Sequence, residues 1–338
     1  MSGELMASEV AEAPGTFART AAADLTPALA SLGLTDGNFG GRSAFYTIAR
    51  GSSDAAATII SYEFMRETGL PMTSLPPSIF SLGAGVKMDG AIALGISQSG
   101  ASEDLVRSIK GAKAAGAVTL GIVNVEASPV GTAVDALSPI GAGPELAVPA
   151  TKSVVGSVAA AMALLAALKP AYAPAAKSAA ATFAAIGTPA HARAAELQTA
   201  LAGANHVYVV GRGCGFGAAQ EVALKLKETC VLHAEAYSAS EVLHGPLQLV
   251  KRGLTVLILD TGEESAKASL DAAEARFNAT GGKVFRIAAS DITADALVPA
   301  AAAALLLCVV YPIIREIALS LGMNPDAPET LSKVTQTI

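Results

Sequence analysis

Tryptophan is absent from the 338 residues, and aromatic side chains as a class make up only 4% of them. So few rings leave no material for stacking platforms under bases or sugars. Clustered positive charge is missing too. The net charge is −6 and no run of Lys or Arg occurs, which excludes the basic footprint of a nucleic-acid-binding protein. Cysteine is scarce. Cys214, Cys230 and Cys308 are odd in number and widely spaced, so they suggest neither a disulfide framework nor a zinc site and read as small, buried, reduced thiols. The opening MSGELMASEVAEAPG is acidic and has no apolar segment, unlike a secretory signal. A clean apolar span of about 20 residues, as a membrane helix needs, is not evident. The most apolar stretches, 154–168 and 300–310, are alanine-rich and run out at Lys169–Pro170 and near Pro312. They read as buried helices of a soluble, cytoplasmic protein with no membrane partner.

What is present is a chain that is 52% hydrophobic, long enough for two domains of roughly 100–200 residues each. Short β-branched runs at 45–49, 91–96, 118–123, 207–210, 255–259 and 283–287 alternate with long alanine-rich helical stretches. This alternation predicts an α/β protein with parallel sheets covered by helices on both faces. Two segments look like copies: FYTIARGSSDAAATIISYEF at 45–64 and VYVVGRGCGFGAAQEVALKL at 207–226. Each runs from a strand through Arg-Gly into small residues and a helix. Arg50 matches Arg212, and Glu67 matches Glu228 at nearly the same offset. The expected domains are 1–175, an N-terminal arm with the first repeat, and 190–338, the second repeat. A helical or extended linker at 169–191 carries Pro170, Pro174 and Pro189.

The run at 91–96 leads into Ser97-Gln98-Ser99-Gly100-Ala101-Ser102 and then a helix from Glu103. Open α/β sheets bind ligands at the carboxyl ends of their strands, where a helix N-terminus offers backbone N–H groups to an anion. Ser102 could equally be an ordinary N-cap, with Glu103 and Asp104 complementing the dipole. The loop Arg50-Gly51-Ser52-Ser53 after an earlier strand favours the phosphate reading, because two such loops could converge on one group. A rival reading is Gly213-x-Gly215-x-x-Ala218, a loose dinucleotide fingerprint. Its acidic partner would be Glu235, but His233-Ala-Glu-Ala-Tyr237 does not read as a strand.

The helix predicted over 218–228 carries Glu221, Lys225 and Glu228 on one face, at i, i+4 and i+7. For an arbitrary helix the better reading is a solvent-facing salt-bridge ladder. At the carboxyl end of a strand, the same groups could border a pocket and move a proton. His233 and His244 follow within one short stretch, and histidine is the residue type whose proton exchange suits the ring opening of a sugar. A metal held by His233, Glu235 and His244 matches no zinc spacing. His206 and His191 have no such company and read as surface or structural.

At these residues the chain resembles the isomerase half of glutamine–fructose-6-phosphate aminotransferase (glucosamine-6-phosphate synthase) and its SIS-domain relatives. The resemblance rests on ISQSGASEDL (96–105), ELAVPATKS (145–153), ALKLKETCVLHAEAYSASEVLHGPL (223–247), SKVTQTI (332–338) and, at the start, Met6-Ala-Ser-Glu9-Val-Ala-Glu12-Ala-Pro14. It implies two SIS domains, each a flavodoxin-like, doubly wound parallel sheet flanked by helices. It also implies that Ser52 and Ser53, with Ser97, Gln98, Ser99 and Ser102, hold the phosphate and nearby hydroxyls, and that Val148 lines the sugar site. Glu228 would move the proton between C1 and C2, with Lys225 and Glu221 around it. His244 would assist ring opening in the neighbouring subunit's site, which implies a homodimer. Lys333 would close over the site and engage the open-chain carbonyl. Two positions depart from the family pattern: Ala150 stands where Ser is usual, and Glu329 follows Pro328 where Arg is usual.

The glutaminase domain of the synthase has no counterpart in this sequence, so the resemblance points to the second type of glucosamine-6-phosphate deaminase. The expected reaction takes glucosamine 6-phosphate through ring opening and C2-to-C1 proton transfer to an imine, which hydrolyses to fructose 6-phosphate and ammonia. It needs no metal and no redox cofactor. The alternatives are another sugar-phosphate isomerase, a deaminase of galactosamine 6-phosphate or fructosamine 6-phosphate, ammonia-dependent synthesis, and a non-catalytic sugar-phosphate sensor.

Overall fold

A computed structural model of the protein describes residues 2–35 and 37–333. Of the tail noted above, 334–338 lie outside the described residues. The chain divides into two compact units. The first holds Gly15–Glu145 and Lys152–Ala185. The second holds Ile186–Lys333, the strap Leu146–Thr151 and the described part of Met1–Pro14. The sequence assigns arm and strap to domain 1–175; their contacts group them with the second unit instead. The boundary near the N-terminus falls at Pro14, inside the helix α1 (Glu4–Ala21).

In the first unit α2 (Thr26–Ala30) precedes β1 (Ala44–Ile48), α3 (Ser52–Thr68), β2 (Met72–Ser74), α4 (Ser78–Ser81), β3 (Ala91–Ser97), α5 (Glu103–Ala114), β4 (Val118–Val123) and β5 (Ala136–Pro139). The helices α6 (Lys152–Leu168) and α7 (Ala173–Ala185) complete it, joined by a 3₁₀ turn at Pro170–Tyr172. The strands form one parallel sheet in the order β2-β1-β3-β4-β5, a flavodoxin-like order. Every residue of β3 is buried, as expected of a central parallel strand covered on both faces.

The second unit adds α8 (Ala194–Ala202), β6 (Val207–Gly211), α9 (Cys214–Cys230), β7 (Ala234–Ser238), β8 (Thr255–Asp260), α10 (Glu264–Thr280), β9 (Lys283–Ala288) and α11 (Pro299–Ser320). Its parallel sheet has the order β7-β6-β8-β9, the same plan less one edge strand. The duplication is visible in the backbone itself. Gly51 and Gly213, the residues before α3 and α9, have φ 53°, ψ −129° and φ 56°, ψ −131°. Side chains with a Cβ rarely adopt that conformation, which is why both copies keep glycine there.

Three elements differ from the sequence reading. The stretch 233–237, read as non-strand, lies mostly in β7, and β2 and β5 were not anticipated. All three are sheet edges, with partly or fully exposed positions in place of an apolar run. The apolar helix near the end runs on through Pro312 to Ser320. It is 22 residues long and apolar enough to cross a membrane by length and composition. In the fold, 78% of its most apolar window is buried, and it packs against α8 and α9. That packing holds the helix together where Pro312 supplies no N–H.

Candidate active-site groups and family

In the first unit the strand order reverses between β1 and β3, so their carboxyl ends flank the crevice where such sheets take ligands. The loops leaving those ends are Arg50-Gly51-Ser52-Ser53 and Ser97–Ser102, the two singled out above. An ion pair ties them: the Arg50 guanidinium donates to the Asp104 carboxylate, which is fully buried in the first turn of α5. Glu103 pairs with Arg107 one turn on. Both acids that could have served only the α5 dipole are thus held by arginines.

The serines are oriented from within the loop. Ser97 Oγ accepts the Gly100 N–H at 2.9 Å, and Ser99 Oγ accepts the Ala101 N–H at 3.3 Å. A hydroxyl used as acceptor keeps its proton to donate, as an anion requires. Ser102 stands at the N-cap position of α5 with extended backbone but makes no side-chain cap bond, unlike an ordinary cap. Ser52, Ser53, Gln98, Ser99 and Ser102 are half-buried, while Ser97 is buried. Gly100 has φ 62°, and a Cβ there would stand 2.0 Å from Ser128 Oγ, so the loop can close only on glycine.

In the second unit α9 lies between the sheet and α11. This explains why the Glu221–Lys225–Glu228 face is not a solvent ladder. Glu221 and Lys225 are both 0% exposed. The Lys225 ammonium donates to Glu228 Oε2 and stands 3.4 Å from Glu221 Oε1. The Tyr311 hydroxyl, reaching from α11, donates to Glu221 Oε1 at 3.0 Å. Burial alone would push the Lys225 pKa down, but the two carboxylates outweigh it and hold the group above the usual lysine range. Glu228 is the one member open to solvent, with 24% of its side chain exposed. The arrangement is a half-exposed carboxylate backed by a buried, fixed cation, so its position is set from behind.

Val148 and Lys333 meet on the strap. The Lys333 ammonium donates to the Ala147 carbonyl at 2.7 Å, and the Val148 N–H donates to the Asp326 carbonyl at 2.8 Å. Glu9, buried in α1, accepts the Leu146 and Ala147 N–H groups, the latter at 3.2 Å. Sequence reasoning quoted Glu9 without giving it a task, gave Asp104 only the helix dipole, and missed Tyr311 and Asp326. The spacing between Glu9 and Ala147 carries no local signal that could have joined them.

The histidines sort differently from expectation. His244 lies exposed at the end of a 3₁₀ turn, Glu241–His244. His233 is paired instead with His206, ring centroids 6.4 Å apart, before the first residues of β7 and β6, at the amino ends of those strands. Among the described residues no three or more His, Cys, Asp or Glu side chains gather as a metal site. The dinucleotide reading fails for a new reason. Glu235 does lie in a strand, but at its second residue, bonded by the Tyr237 hydroxyl. The Glu263 carboxylate stands over Gly213, 2.8 Å from where a Cβ would be, and so puts negative charge at the turn a pyrophosphate would need.

Comparison with known proteins bears on the family and the fold. The SIS domain model matches residues 42–167 and again 200–319. A candidate phosphosugar isomerase from Silicibacter pomeroyi DSS-3, known from its crystal structure, is 32% identical with a TM-score of 0.81, covering 96% of this chain and 100% of that one. The C-terminal domain of glucosamine-fructose-6-phosphate aminotransferase from Francisella tularensis has the same fold, with a TM-score of 0.81 at 23% identity over 96% and 98% of the two chains. Among curated sequences, glutamine–fructose-6-phosphate aminotransferase [isomerizing] from Leifsonia xyli is 31% identical over 97% of this chain and 58% of its own length. The Aeropyrum pernix enzyme of that name is 28% identical over 85% and 50%. The chain thus spans about half the length of the curated relatives it matches. Two domain matches, one on each parallel sheet, place this chain in the SIS domain family.

Proposed function

We propose that the protein is an amino-sugar-phosphate isomerase and deaminase that converts glucosamine 6-phosphate and water to fructose 6-phosphate and ammonia. The observation that carries this reading is the buried Lys225 ammonium, fixed by Glu221 and bonded to the half-exposed Glu228 carboxylate. A positioned carboxylate is what a C2-to-C1 proton transfer needs, and general-base groups of this kind contribute about 10²–10⁴-fold. In the proposed sequence the ring opens to the aldehyde with help from His244 of the partner subunit in a homodimer. Lys333 engages the carbonyl end, and Val148 lines the sugar. Glu228 takes the C2 proton and returns it to C1 while the C1 oxygen gains a proton and the amine loses one, giving the C2 imine, and water adds to the imine to release ammonia. Ser52, Ser53, Ser97, Gln98, Ser99 and Ser102 supply hydroxyl, amide and helix-terminal donors for the phosphate.

A second reading has its own support: the curated relatives matched above are named for the aminating enzyme. Run in reverse, the same proton transfer turns fructose 6-phosphate and ammonia into glucosamine 6-phosphate. Ammonia release from a panel of hexosamine 6-phosphates, set beside amino-sugar formation from fructose 6-phosphate and ammonium, tests both. Turnover in neither direction would refute the proposal.

A further inference from the structure

The strap carrying Val148 has almost no side chain that could hold it in place. Leu146 is 64% exposed, and Ala147 offers only a methyl group. Its fixed points are backbone groups, and they lead to one element. The Leu146 and Ala147 N–H groups both donate to the Glu9 carboxylate on α1. The next N–H, that of Val148, donates to the Asp326 carbonyl. The Asp326 carboxylate in turn accepts the Met6 N–H at 2.8 Å and the Leu5 N–H at 3.3 Å, an acid closing the N-terminus of α1. Lys333 then docks on the Ala147 carbonyl. Three consecutive strap residues are therefore positioned by one helix, directly through Glu9 and indirectly through the residue that caps it.

We infer that Glu9 is a positioning residue. Through the strap it sets where the Val148 side chain and the Lys333 ammonium stand, although it touches no reacting atom. The inference rests on the functional reading above for its catalytic consequence, and on geometry alone for its structural one. Hydrogen bonds to a carboxylate are stronger than neutral ones, and a buried N–H that loses its acceptor has no cheap replacement. Glu9 is 4% exposed, so water does not readily take its place.

The test compares wild type with Glu9→Ala and Glu9→Gln. Hydrogen exchange is followed across the chain, and acylation of Lys333 by limiting acetic anhydride is read by mass spectrometry. In Glu9→Ala, exchange at Leu146–Val148 and acylation of Lys333 should each rise at least about tenfold, while α9 and the sheet exchange as in wild type. Glu9→Gln keeps one acceptor oxygen and should restore most of the protection. With glucosamine 6-phosphate, kcat of Glu9→Ala should fall about tenfold or more while KM stays within about threefold. If Glu9→Ala does not fold, Glu9→Asp, whose carboxylate is drawn back by one methylene, is read in the same way. Unchanged exchange at 146–148, or an even rise across the whole second unit, would overturn the inference. The exchange and acylation arms need no substrate. A wild type inert toward every hexosamine 6-phosphate therefore defeats the functional reading alone.

Discussion

Lys225 bonds Glu228 from a fully buried position one helical turn before it, and its own charge is balanced from behind by Glu221. A lysine with no access to water and a carboxylate on either side is a structural commitment. Removing the cation leaves Glu221 as an uncompensated buried charge, a loss that typically costs about 3–5 kcal/mol. Lys225→Met should therefore unfold at clearly lower denaturant concentration than wild type, and Lys225→Met combined with Glu221→Gln should recover part of the difference. Equal stability of wild type and the single variant would place the pair on a solvated surface after all.

The same pair predicts a pH dependence. The folded state holds the Lys225 proton more tightly than the unfolded chain does, because Glu221 and Glu228 outweigh the burial that opposes its charge. This stabilisation is complete below the titration of an unfolded lysine and is lost as pH rises through the higher folded value. Between about pH 9 and 11.5, wild type should lose stability faster than Lys225→Met, as read from denaturation midpoints. Parallel curves would mean that the group titrates like any exposed lysine.

The proposed phosphate loop makes a separate prediction. Ser97 and Ser99 are held as acceptors by Gly100 and Ala101, so each hydroxyl proton is available to an anion. Ser97→Ala with Ser99→Ala should raise KM for the sugar phosphate about tenfold or more and shift Tm by only a few degrees, about what 1 kcal/mol produces. An unchanged KM would remove the loop from the binding site.

Much of this was legible in the sequence. The strands β1, β3, β4, β6, β8 and β9 announce themselves as β-branched runs, and the paired Arg50-Gly51 and Arg212-Gly213 turns show the repeat. The edges β2, β5 and β7 did not, because each is a short run that mixes small or polar residues with apolar ones and looks like loop, whereas the edge β9 keeps the run Val284-Phe285 and Ile287. Pro312 read as a stop, yet the packing of α11 carries the helix past it. The spacing of Glu221, Lys225 and Glu228 told which residues share a face. Whether that face was wet or dry depended on α11 and Tyr311, some ninety residues away. Glu9 and the strap are farther apart still, and no periodicity links them.

The proposed homodimer, with His244 acting in the partner's site, has its own test. Hybrid dimers formed from inactive His244→Ala and inactive Glu228→Gln chains should regain part of the wild-type activity, since one of the two composite sites would be intact. With subunit exchange verified by mass, no recovery would place both residues in one chain's site.

The most direct test of the central claim is Glu228→Gln. The substitution keeps the shape of the side chain and an oxygen for the Lys225 ammonium, but removes the ability to accept a proton. Ammonia release from glucosamine 6-phosphate should fall by about 10²–10⁴-fold in kcat, with KM little changed and the fold intact by circular dichroism. In deuterated water, wild type should place solvent deuterium at C1 of fructose 6-phosphate to the extent that the Glu228 carboxyl exchanges with solvent. A well-folded Glu228→Gln protein that still releases ammonia at near wild-type kcat would contradict the account.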